Sequence, residues 1–131
     1  MSESLPITDL MLAAAAGGAC GAVLRWVIAM VVAARTSWPT WTGTLIANLL
    51  ACFGVGLLLS LADPLDRTLL IAGFFGALST FSTFVFELTV LLLQRRRLEL
   101  LLAAVLTVVL GPLLYWAGGW CESLLHAWSQ S

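Results

Sequence analysis

A chain of 131 residues, 61% hydrophobic and only 10% charged, with a mean hydropathy of +1.04, departs widely from soluble domains, which are about 45–50% apolar and about 25% charged. It reads as a single integral membrane domain over residues 1–131. The net charge of −1, with six arginines and no lysine, gives no reason to expect a nucleic-acid partner, and the composition leaves little room for a conventional enzyme.

The N-terminal stretch LMLAAAAGGACGA has the apolar, small-residue look of a secretory segment. MSESLPITD before it carries Glu3 and Asp9 and no basic side chain. A signal peptide begins with a positive segment, so this stretch is expected to remain as the first helix, over about residues 10–34, interrupted only by Arg25. A hydrocarbon core of about 30 Å takes about 20 apolar helical residues. Three further runs reach that length: about 41–62, which is uncharged; about 68–93; and about 98–120, which holds one proline. RTSWPTW, DPLD and QRRRLE connect them, and CESLLHAWSQS is a tail. Trp38, Trp41, Trp116, Trp120 and Trp128 fall near the expected ends, where indole rings favour the membrane interface. The runs are continuous rather than alternating, which argues against a barrel. The expected fold is an all-α membrane bundle of four transmembrane helices.

Four helices make a thin wall, so oligomerisation is expected. Gly17-x-x-x-Gly21, with Ala14 and Gly18 beside it, suits close helix contact, between chains or within one. Cys20, Cys52 and Cys121 lack CxxC or CxxH spacing and read as small hydrophobic residues kept reduced.

The polar residues within the apolar runs are the informative ones. Arg25 costs about 2.5–3.5 kcal/mol or more at bilayer depth unless it faces protein or water. It either snorkels, pairs with a carboxylate or attracts an anion. Asn48 lies mid-way along the second run, with Thr44 one turn before it on the same face. Its amide offers two N–H donors without a charge, for an anion or for an interhelical bond. In GALSTFSTFVFE, Gly76 to Glu87, four hydroxyls alternate with phenyl rings. Gly73 and Gly76 ahead of Ser79 and Thr80 predict an interrupted helix, because glycine and hydroxyl side chains weaken the helical ladder. Freed carbonyls at that depth suit a cation. Phe81 and Phe84 share a face, and a ring edge is electropositive. They either pack between helices or touch a small anion. A carboxylate as deep as Glu87 is expected to be protonated or hydrogen-bonded.

These motifs resemble those of the Fluc (CrcB) fluoride channels. GGACGAVLRW is similar to the family's first-helix pattern leading to an arginine, Arg25 here. WPTWTGTLIANLLACFGVG resembles its Pro…Gly-Thr-Leu…Asn signature and places the pore asparagine at Asn48. GFFGALSTFSTFVFE resembles its Thr-Phe-Ser-Thr-Phe signature. The resemblance implies an antiparallel homodimer, a bacterial plasma-membrane location, and two fluoride pores along the dimer interface. It also implies a structural Na+ at the two-fold axis, held by the carbonyls of Gly76 and Ser79. The pore residues become Asn48, Phe81 and Phe84, with Ser82, Thr83 and Thr107 contributing hydroxyls, and Arg25 as a vestibule or structural charge. Ser79 stands where the family usually has Thr, Val85 where Ser is common, and Ala103 where many members carry Tyr. The alternatives from other classes are a proton-coupled multidrug-type transporter, which wants a first-helix carboxylate where this chain has Arg25, and a non-transporting assembly subunit.

Overall fold

The computed structural model describes residues 6–60 and 63–129. Among them every regular element is helical. Helix α1 spans Ile7–Arg35 and α2 spans Trp41–Leu57. The third begins at Pro64–Asp66, widens into a π-type segment over Arg67–Phe75 and ends in the turn Gly76–Leu78; together these make α3, residues 64–78. Helix α4 spans Phe81–Leu93 and α5 spans Arg97–Ser129. Ile7–Arg35, Pro64–Leu93 and Arg97–Trp128 are each long and apolar enough to cross a membrane, whereas Trp41–Leu57, with 17 residues, is shorter. This is a helical membrane protein.

The boundaries differ from the expected ones for identifiable reasons. Helix α2 stops at Leu57, and the expected end at residues 61–62 lies outside the described part of the chain. DPLD, expected as a loop, starts a helix instead. Its Asp63 carboxylate accepts from the backbone N–H of Leu65 at 2.7 Å and of Asp66 at 3.3 Å, with Pro64 at the first helical position, a standard N-terminal signal. The tail CESLLHAWS is helical as well. A Glu122 carboxylate oxygen accepts the Ser60 N–H at 2.7 Å, and His126 Nε2 lies 3.1 Å from the Ser60 hydroxyl. These contacts tie the last two turns of α5 to the end of α2.

Bundle packing is close because glycines let backbones touch. Gly17 and Gly21 are buried, and a Cβ at either would meet a carbonyl of α3, that of Leu69 or Phe74. From the other side, a Cβ on Gly73 would lie 2.8 Å from the Ala14 carbonyl oxygen. The Gly17-x-x-x-Gly21 stripe is therefore used within one chain, and a contact between chains has to come from elsewhere. Helices α2 and α5 meet the same way, with Gly56 against the Tyr115 carbonyl and Gly118 against that of Phe53. Two small cores fill the remainder: Ala47, Ala51 and Leu78 with Phe74 and Phe75, and Trp41, Leu91 and Ala103 with Leu45 and Leu106.

We expect Gly21→Val to destabilise the bundle by about 1–3 kcal/mol or more, since a backbone carbonyl rather than a flexible side chain blocks the space. Thermal unfolding in detergent checks this. An unchanged midpoint would mean that α1 and α3 are not in contact there.

Helix α4 ends in a tight reversal. The Arg96 N–H bonds the Leu91 carbonyl at 2.9 Å and the Arg95 N–H that of Leu92 at 3.1 Å, the paired pattern that closes many helices. Arg95 occupies the left-handed position, with φ 58°, where glycine or asparagine is usual. Glu99 then pairs with Arg96 and accepts from Trp41 Nε1 at 3.3 Å, which fastens this end of the bundle.

Candidate functional site

Helix α2 places Thr44, Asn48 and Cys52 at successive four-residue steps, so all three lie along one face. Opposite them the chain between α3 and α4 is extended, with Ser79 at φ −75°, ψ 152° and Thr80 at φ −150°, ψ 116°. Asn48 spans this interval. Its Oδ1 accepts the Thr80 N–H at 2.7 Å, and its Nδ2 donates to the Thr80 carbonyl at 3.4 Å. Thr80, itself buried, starts α4. Its hydroxyl oxygen accepts the Thr83 N–H at 3.3 Å, donates to the Thr83 hydroxyl at 3.1 Å and lies 3.3 Å from that of Ser82.

The result is a groove of about 300 Å³ lined by Asn48, Cys52, Ser79, Thr80, Phe81, Phe84, Thr107 and Val108. The Phe81 and Phe84 rings stand 6.3 Å apart at an interplanar angle of 48°. Phe84 is half-buried, whereas Phe81 is 79% exposed. Asn48, both phenylalanines and Thr107, predicted from sequence as site residues, thus share one groove. Ser82 and Thr83, also predicted, do not line it; their hydroxyls only meet that of Thr80. Cys52 was not predicted there, and Thr80, expected as one hydroxyl of a polar track, also starts the helix. The four-residue step from Asn48 was the available signal for Cys52, and the preference of threonine for helix N-caps was the signal for Thr80.

Ser79 lines this groove and, with Gly76, a neighbouring hollow. Because the Thr80 N–H goes to Asn48, it does not return to the Gly76 carbonyl four residues earlier. That carbonyl receives instead the Ser79 hydroxyl, at a long 3.5 Å. Gly76 is exposed and Ser79 half-buried.

Residues 12–119 match the family model described as CrcB-like protein, Camphor Resistance (CrcB). The chain belongs to the CrcB-like family. It is 40% identical over 104 residues to a protein of Desulfovibrio desulfuricans named fluoride-specific ion channel FluC, covering 75% of this chain and 79% of that one. It is 41% identical over 108 residues to fluoride-specific ion channel FluC 1 of Staphylococcus aureus strain NCTC 8325, covering 78% and 87%. A FluC of Chloroflexus aurantiacus is 45% identical over 86 residues, covering 59% and 66%. The family resemblance carried by the three sequence motifs is borne out.

Other CrcB-like motif residues of this chain fall beside the groove. Arg25 is half-buried and lines a second hollow of about 220 Å³ with Trp26, Gly43, Thr44 and Thr83. Among the described residues it forms no ion pair with a carboxylate. Glu87 instead accepts the Thr44 hydroxyl at 2.9 Å, the hydrogen bond expected of so deep a carboxylate. Ala103, at the position where Tyr is frequent in the family, is 2% exposed and packs with Trp41 and Leu91, so here it serves the core. The Thr107 hydroxyl donates to the Ala103 carbonyl at 2.8 Å. Its proton is spent on the helix, and it offers the groove only lone pairs. The Thr44 proton is likewise spent on Glu87. Asn48 retains one N–H beyond the one it donates to Thr80.

Proposed function

We propose that this chain is a passive fluoride-selective channel that exports cytoplasmic fluoride across the bacterial plasma membrane. The observation that carries the reading is the shared groove of Asn48, Phe81 and Phe84. An uncharged amide N–H and electropositive ring edges are several weak partners that can replace water around a small anion without holding it. The names of the relatives point the same way. Ser82, Thr83 and Thr107 supply further polar contacts, and Arg25 beside Thr44 draws anions toward the path.

The working unit is an antiparallel homodimer with two pores along its interface. An extended interval at membrane depth persists only where protein or a wet cavity covers it. In one chain Gly76, Phe81 and Ser82, which flank that interval, are exposed. A second copy covers them. The Gly76 and Ser79 carbonyls of the two copies suit a Na+ at the two-fold axis, since the Gly76 carbonyl has lost its helical partner. Bound there, the ion supplies positive charge that balances converging carbonyl dipoles. Ser79→Ala should therefore leave any Na+ dependence of efflux in place, because the ligand is backbone.

Purified protein in liposomes loaded with fluoride tests the function. Efflux without any coupling ion is expected. Proton movement driven by a lipophilic cation would support the transporter reading, and silence in both assays the assembly subunit.

Orientation is a separate prediction. With an even number of crossings, Arg67 and both termini lie on one side, while Arg35, Arg95, Arg96 and Arg97 lie on the other. Arginine excess favours the cytoplasmic side, yet an antiparallel homodimer needs both orientations. We expect C-terminal reporters active only inside and only outside the cell both to give signal. Signal outside alone would exclude the homodimer and call for an oppositely oriented relative as partner. Arg95→Asn keeps the left-handed turn and should move the balance between the two reporters.

A further inference from the structure

We propose that Asn48 is a positioning residue for the interval between α3 and α4, in addition to facing the anion groove. Its carboxamide acts as a substitute peptide, taking up both polar groups of Thr80.

The geometry is specific. A buried backbone N–H and C=O at membrane depth must each find a partner. In a continuous helix the Thr80 N–H would bond the Gly76 carbonyl. Here it bonds Asn48 Oδ1 at 2.7 Å, while the Thr80 carbonyl accepts from Asn48 Nδ2 at 3.4 Å. One side chain therefore satisfies both ends of the residue and leaves the Gly76 carbonyl without its helical N–H, met only by the Ser79 hydroxyl at a long 3.5 Å. A serine or threonine at position 48 has a single proton, so a hydroxyl that donated to the Thr80 carbonyl would have no donor left for the groove. An apolar residue could satisfy neither group. The amide is also divided in a defined way. Oδ1 and one N–H are committed to Thr80, and the second N–H remains for the groove, where the Thr107 proton is unavailable.

It follows that Asn48 couples two things that look separate: the donor offered to an anion and the release of the Gly76 carbonyl from the helical ladder. The functional meaning of this coupling rests on the channel reading, but the clamp itself does not.

The test uses full-length isotope-labelled protein in nanodiscs. In wild type, the Cα shifts of Ser79 and Thr80 are expected to be those of extended residues. In Asn48→Leu, which keeps the volume and removes both bonds, they move toward helical or averaged values. The Na+ concentration giving half-maximal thermal stabilisation rises at least about tenfold, the scale of one lost hydrogen bond. Phe84→Ile, which affects only the groove, leaves both readouts at wild-type values even where efflux falls. Asn48→Leu with extended shifts retained at both residues would overturn the clamp, whatever its efflux. If Asn48→Leu does not fold, wild type answers alone. One Nδ2 proton of Asn48 should be displaced from its free-amide shift and unmoved by fluoride, while the other shifts with fluoride. Both protons at free-amide shifts would mean that the amide holds nothing. Loss of the fluoride response with one proton still displaced would overturn the channel reading and leave the clamp standing.

Discussion

Phe81→Ile and Phe84→Ile are each expected to lower fluoride efflux by about two- to tenfold in liposomes. Isoleucine keeps much of the bulk and removes the ring quadrupole. An aromatic contact of this kind is worth about 0.5–1.5 kcal/mol beyond its area, and about 1.4 kcal/mol on a barrier is a factor of ten in rate. Phe81 gives the cleaner result. It is 79% exposed in one chain, so its replacement takes almost nothing from that chain's own packing. Wild-type efflux in both variants would reduce the pair to spacers.

The second large effect is expected at Gly76. A Cβ there meets only the Ile71 carbonyl oxygen, at an ordinary 3.6 Å, so a single chain has room for a side chain. Gly73, three residues earlier, has none. Gly76→Leu should therefore keep wild-type helical content in detergent yet lose both dimerisation and efflux, because in the proposed homodimer the obstruction lies in the second copy. Gly73→Leu should fail earlier, at the fold of the chain itself. Scattering-derived mass and circular dichroism separate the two. A dimeric, conducting Gly76→Leu protein would show that no second copy approaches this carbonyl. Efflux unaltered when Na+ is replaced by K+ at every stage would argue against the cation while leaving the dimer intact.

Much of this was legible in the sequence because membrane helices obey simple length and spacing rules. The apolar runs gave the helices, the four-residue step put Thr44 and Asn48 on one face, and the hydroxyl–phenyl alternation marked the groove. What was not legible depended on partners far away in the chain. Asn48 and Thr80 are 32 positions apart, and no local pattern says that one amide will serve both groups of one distant residue. Ser60 and His126 are 66 apart, so the continuation of α5 past Trp120 looked like a tail. The small-residue stripe of α1 was visible, but its target was not. Only the carbonyls of Leu69 and Phe74 lying against it assign it to α3.

The reversal at Arg95 also bears on how the chain is made. Gln94, Arg95 and Arg96 are the only residues between α4 and α5, and the turn is closed by its own backbone bonds. So short a link cannot let the two helices enter the bilayer separately. They must go in as a hairpin, with three consecutive arginines at its tip. That tip holds half of the chain's basic residues and leaves the ribosome only when most of the protein has been translated. The first helices emerge with a single arginine on each side, Arg35 and Arg67, and little to choose between the two ways of facing. The direction in which a copy faces would therefore be settled late in synthesis. If copies face both ways, as proposed above, the speed of elongation through the last hairpin, and not only the final count of charges, becomes a variable that sets their ratio.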